Sequence, residues 1–310
     1  MNSGSVSILL SCADACRARG SHVSFETLMQ EPSIESHTPL YWAILKQQRQ
    51  PDNRDDSATV GVIEVLLSFP LTPATLVEAR QACLLISSHD IFQRIYRAQR
   101  SFAAGPADML NLASLPPDDI QVKSLTEAEC PGAPENGAFT VHLYIHEFQR
   151  RMRILSFVRE EFIAQNRLWA IVFYVYTPEN NYNQKYPPGA WIIALELLET
   201  SPSTYIDTRF TISPTSSENL KSKPPITILM KSRPQDHLKP TPSSLGKVSS
   251  RLMMRGAPSG SNVGENAITS GLPESLQFDG NSYIESNGTL HVLFEAKLTP
   301  GSHSGDCIIC

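Results

Sequence analysis

Apolar positions along this chain change period once. Before position 100 they recur every three or four residues, and from position 138 they alternate with polar ones. Val6, Leu9, Leu10 and Ala13 fall at helical spacing over 6–18, with Gly20 just beyond as a stop signal. A second helix starts at Thr38-Pro39, where Thr38 can cap and Pro39 occupies the first turn, in which a missing amide costs nothing. Thr59–Phe69 places Val62, Ile63, Leu66 and Leu67 on one face. Thr72-Pro73 repeats the start signal for a pattern reaching Ile86, and Ile91–Tyr96 follows His89-Asp90.

The second half reads as strands. Phe139, Val141, Leu143 and Ile145 alternate with Thr140, His142, Tyr144 and His146, the signature of a half-buried strand. Leu168–Tyr176 is β-branched and aromatic throughout, as expected of a strand buried on both faces. Pro187-Pro188-Gly189 turns into a strand at Ala190–Leu198, and Tyr205–Ile212 and Ile226–Met230 follow. Asn287-Gly288 predicts a hairpin between Ser282–Ser286 and Thr289–Lys297, because that dipeptide takes the positive φ angles of a tight turn. The stretch from Phe148 to Gln165, with Arg150, Arg151 and Arg153, fits strand or helix and stays open.

This pattern predicts an α+β chain. A helical segment spans 1–100, a Pro-rich linker 101–136, an antiparallel β-sandwich-like domain 137–300, and a flexible tail 301–310. Within the β domain, 213–275 is so rich in Pro, Ser and Gly that a disordered insertion is expected there.

Composition narrows the function classes. No stretch approaches the ~20 apolar residues of a membrane-spanning helix, and the start Met1–Ser5 carries no basic residue, so neither a bilayer span nor secretion is expected. Six cysteines in a chain of 310 residues suit reduced thiols in the cytoplasm better than a disulfide framework. Within the insertion, residues 219–255 carry Lys221, Lys223, Lys231, Arg233, Lys239, Lys247, Arg251 and Arg255 against Asp236, a net of +7 in a chain whose total is −5. No aromatic residue interleaves these charges, as base stacking would require, so a solvated loop is expected before a nucleic-acid site.

Chemistry is harder to find. His142 and His146 share a metal only on a helix; on a strand their Cα atoms stand ~13 Å apart. Gly246-Lys247 lacks the rest of a phosphate loop, and Gly301–Gly305 has His where a nucleophile elbow needs Ser. The carboxylates look scattered, with no pair set up for acid–base work. No catalytic, cofactor or metal site is expected. The end, Cys307-Ile308-Ile309-Cys310, resembles a prenylation box with Cys307 as the acceptor thiol. Such an anchor would give reversible, peripheral membrane association, and only together with a second signal.

Two resemblances complete the reading. Thr38-Pro39-Leu40-Tyr41-Trp42-Ala43 resembles the opening of an ankyrin repeat, and Val62–Leu67 its second helix, with Tyr41 where His is usual and Gln47–Ala58 as an insertion. That likeness implies either a protein-binding surface, with Tyr41 and Trp42 as candidates, or a stack of helices bracing the β domain. Arg167-Leu168-Trp169, Gly189-Ala190-Trp191, and the pair Tyr283-Ile284 and Thr289–Val292 occur in an order similar to that of a meprin-and-TRAF-homology (MATH) sandwich. This resemblance implies recognition of short peptides along a sheet face or edge. Taken whole, the chain resembles a family of mushroom-forming fungi that pairs an ankyrin-like start with such a β region; the likeness implies no particular activity. The leading expectation is a non-enzymatic interaction protein with a protein partner. A prenylated adaptor and an enzyme with a dispersed site stand as alternatives.

Overall fold

The computed structural model describes residues 4–19, 24–48, 56–103, 116–126, 128–130, 137–177, 186–215, 223–232, 237–241 and 267–299. The chain has helices and two antiparallel sheets, divided between two compact units, Met1–Ala113 and Ser114–Cys310. Among the described residues no helix is long and apolar enough to cross a membrane.

Unit one contains α1 (Gly4–Ala18), α2 (Phe25–Leu28), α3 (Pro39–Gln48), α4 (Asp56–Leu67), α5 (Pro73–Leu85) and α6 (His89–Ala103). Helix α1 packs on α4, α4 on α3, α3 on α5 and α5 on α6. The contacts follow the spacing: α3 buries Leu40 and Ile44, α4 buries Ile63, Leu66 and Leu67, α5 buries Leu76, Ala79 and Cys83, and α6 buries Ile91 and Ile95. Phe25 meets Phe69 edge to face at 5.7 Å, beside Ala13 of α1. The two Thr-Pro starts differ. Thr72 Oγ1 accepts the Thr75 N–H at 3.2 Å, as a cap should. Thr38 does not cap: its hydroxyl has no partner among the described residues, while its N–H donates to Glu78 at 3.0 Å. Residues 49–55 of the expected insertion lie outside the described residues.

Unit two contains β1 (Asp119–Leu125), β2 (Ala138–Ile145), α7 (Phe148–Leu155), β3 (Phe157–Ala164), β4 (Arg167–Val175), β5 (Trp191–Leu197), β6 (Tyr205–Ile212), β7 (Ile226–Lys231), β8 (Ile268–Gly271) and β9 (Leu290–Thr299). One sheet runs β1-β2-β9-β6-β7 and the other β3-β4-β5-β8, every pair antiparallel. Alternation decides the faces. Val141 and Leu143 of β2, Val292 and Phe294 of β9, and Phe210 of β6 point into one core shared with Phe162, Trp169 and Phe173 of the other sheet. Phe294 sits at its centre, 4.5 Å from Phe210, 5.8 Å from Phe139 and 6.1 Å from Phe162 between ring centres. Strands β4 and β5 are buried on both faces, as their unbroken apolar runs require.

Three expectations change. The stretch read as a linker contains β1, whose Ile120 is buried and whose seven residues all pair with β2. The stretch read as disordered supplies β8 as well as β7, and Leu238 and Leu272 within it are buried in the core, so local composition understates its apolar anchors. Asn287-Gly288 does not form a turn with two positive φ angles and a long hairpin behind it. Gly288 N–H instead closes on the Glu285 carbonyl at 2.8 Å, only Gly288 is left-handed (φ +82°), and a single bridge, Ile284 with Leu290, precedes β9. That is a turn followed by a glycine bulge. A two-residue hairpin turn with paired positive φ lies instead at Gln165-Asn166 (51° and 53°), between β3 and β4, and the open stretch before it resolves into α7 and then β3.

Phe294→Ala empties the middle of this core, and its expected cost is about 3–5 kcal/mol, measured as a lowered denaturation midpoint with an unchanged m-value.

Candidate functional site

The chain's chemistry gathers at two places in unit two. The first is internal. Helix α7 turns Arg151 inward with Phe148 and Met152, so an amphipathic helix carries a guanidinium on its buried face. Its start is held by the terminal turn, since the Phe148 N–H donates to the Gly288 carbonyl at 3.0 Å. Gly288 is left-handed (φ +82°), which favours glycine, and a Cβ there would also lie a tight 3.3 Å from the Glu147 Cα. Arg151 then donates to Asp118 at 2.5 Å and to Glu160 at 3.3 Å, with side-chain exposures of 7%, 4% and 1% respectively.

Asp118 also accepts the His146 N–H at 2.8 Å. Burial alone would raise the Asp118 pKa, but the hydrogen bond with Glu160, the Arg151 charge and the His146 amide outweigh it, and the group is held below the usual carboxylate range. Asp118 and Glu160 thus hydrogen-bond to one another beside the same guanidinium in a dry site. On the other face of the same sheet Arg159 sits between Glu161 (2.9 Å) and Glu196 (2.6 Å), the same two-to-one arrangement. The expectation of scattered carboxylates therefore fails. Arg159-Glu160-Glu161 was the signal: three charges in a strand whose neighbours are apolar must find partners inside the fold.

The second place is the outer face of the five-stranded sheet. Alternation turns His142 and Tyr144 of β2 and His291 of β9 outward. His142 does not pair with His146. Its Nδ1 lies 3.2 Å from His291 Nε2, and Tyr144 stacks on His291 at 4.5 Å with the planes 4° apart. His146 turns to the Thr289 hydroxyl, 3.1 Å away. His291 is half-buried, and desolvation together with His142 lowers its pKa, Glu285 opposing. Nothing local in the sequence joins His142 to His291, which are 149 positions apart. At the rim of this sheet β7 pairs with β6 alone among the described residues and exposes Leu229 by 61%.

The remaining expected residues are dispersed. Tyr41 is buried, stacked on His37 at 3.9 Å, so it packs the helices and offers no surface; Trp42 is half-buried and donates its Nε1–H to the Ile34 carbonyl. Lys223, Lys231 and Lys239 are placed, Lys231 reaching Asp207 at 3.5 Å. Lys221, Arg233, Lys247, Arg251, Arg255 and Cys307 lie outside the described residues.

No protein-family model and no curated protein matches this chain.

Arg151→Met leaves two buried carboxyls without their cation, and the expected loss is about 3–5 kcal/mol of stability by chemical denaturation. Because the folded pKa of Asp118 lies below its unfolded value, the stability it contributes is complete above the ordinary Asp range and is lost as pH falls through the folded pKa. Asp118→Asn is expected to flatten the decline of unfolding free energy between neutral and acid pH, measured by urea titration at each pH.

Proposed function

We propose that this chain is a protein-interaction module without catalytic activity, and that its β unit, a MATH-like sandwich, recognises extended peptide segments of a protein partner by strand addition to β7. The observation that carries the reading is β7 itself. It is an outermost strand, its Thr227, Leu229 and Lys231 are exposed in alternation, and no strand among the described residues pairs with its outer edge. Such an edge offers backbone donors and acceptors to an incoming strand, while Leu229 gives an apolar contact that selects side chains.

Topology supports the sandwich reading. With β1 set aside, eight antiparallel strands divide four and four around one core. Helix packing in the order α1, α4, α3, α5, α6 supports an ankyrin-like stack, degenerate because only the start at Thr38-Pro39 carries the motif. The carboxylates favour binding over catalysis: Asp118 and Glu160 are sealed from solvent and bonded to Arg151, so no substrate reaches them as they stand. We place the module in the cytoplasm. Cys12, Cys16, Cys83 and Cys130 are free thiols, and burial pushes Cys83 up to about 12, with Arg80 opposing, which makes it an inert packing group.

The test is a displayed library of unstructured peptides selected on the whole protein. Enrichment of extended sequences with an apolar residue at a fixed position is expected, and Leu229→Lys should weaken the selected peptides at least about tenfold, the loss of one well-placed apolar contact, with little change in melting temperature. Selection of no sequence, or binding indifferent to Leu229→Lys, overturns the proposal.

A further inference from the structure

The His142–His291 pair has a geometry that a chance surface contact does not supply. Its ring centres are 5.5 Å apart and its planes 13° apart, with 3.2 Å between Nδ1 and Nε2. That centre separation equals the N···N distance plus the two ring radii. Both nitrogens therefore lie on the line of centres, and the rings meet head on, nearly coplanar. A metal ion bound by two imidazoles needs lone pairs that converge on a third point, or a wider gap between them. Head-on rings suit a proton instead, one N–H donating to the other ring's lone pair.

We infer that His142 and His291 form a single-proton site that clasps β2 to β9 and opens when a second proton arrives. With one ring protonated, the N–H···N contact becomes charge-assisted and shorter. With both protonated, each nitrogen carries a hydrogen and the acceptor is gone. Two positive charges then face each other across a hydrogen-bond distance.

The surroundings set the balance. From β1, Gln121 lies opposite His142 and Asp119 opposite Tyr144, with Lys123 one pair further along. From β2, Tyr144 covers one face of His291. From β9, Leu293 lies opposite His142, while Glu295 is engaged by Arg209 of β6 at 3.5 Å. From the loop before β9, Glu285 favours a charged His291. Of the carboxylates on these positions, Glu285 favours the first proton, Glu295 is engaged by Arg209, and Asp119 accepts from the Gln121 side-chain amide. Opening the clasp releases Tyr144 and loosens the middle of the β2–β9 ladder, which lies between edge strand β1 and the strands that carry β7.

The experiment is a titration of the full chain from pH 8 to pH 4, following the ring nitrogen and carbon signals of both histidines by NMR. The expected result is one shared curve with two steps about tenfold or more apart in proton concentration, the signature of interacting sites. In His291→Phe, which keeps a ring on Tyr144, His142 should follow a single step. Amide exchange of 140–144 and 290–293 should accelerate below the second step in the native chain and not in the variant. Two independent single-step curves in the native protein overturn the shared-proton site, whether or not the variant folds. A two-step curve with no change in amide exchange overturns the clasp.

Discussion

A guanidinium that cannot give up its proton is buried at the heart of unit two, and the rest of that unit is arranged to answer it. Arg151 reaches Asp118, which leads into β1 of the five-stranded sheet, and Glu160, which lies on β3 of the four-stranded sheet. One side chain thus ties both sheets through a helix that belongs to neither. Apolar packing by itself tolerates sliding, since hydrophobic attraction has no direction. A charge at 7% exposure does not, because any displacement leaves it unpaired in a dry interior. Even the terminal turn serves this demand, Gly288 meeting the first residue of α7 so that Arg151 lies where the carboxyls converge.

With the interior fixed in this way, the recognition we propose falls to the faces and edges of the sheets. The four-stranded sheet has little free surface in its middle strands, β4 and β5 being buried on both sides. The five-stranded sheet keeps its outer face, where aromatic and imidazole rings stack across β2 and β9, and its β7 rim. A rigid core under an exposed face is an ordinary basis for binding, since ordering costs are met during folding and not again on contact. The imidazole pair adds sensitivity to protons on that same face.

Legibility varied with how local the cause was. The strands at Ala138–Ile145 and Arg167–Val175 were plain from period and β-branched content, and α3, α4 and α5 from spacing and start signals. Helix α7 was not: an Arg at its buried position breaks the apolar stripe, and its ends are left-handed Glu147 and Ser156 in place of the residues that usually mark a boundary. Strand β1 was hidden by Asp119, Gln121 and Lys123 on its exposed side and by the prolines before it. The turn at Asn287-Gly288 took a bulged form with only Gly288 left-handed, and it also meets Glu147 at the start of α7, a contact that no local spacing records.

The sequence by itself determined which residues of β2 face inward and where α3 and α5 start, because alternation and a proline in the first turn act within a few residues. Only the tertiary structure decided that Arg151 meets Asp118 and Glu160, that His142 meets His291 and not His146, and that Tyr41 packs inside while Leu229 stands out. Those pairings join positions up to 149 apart, and the physical reason is the same for each. A polar group's partner is chosen by which sheets and helices the apolar core draws together, and no local spacing records that choice.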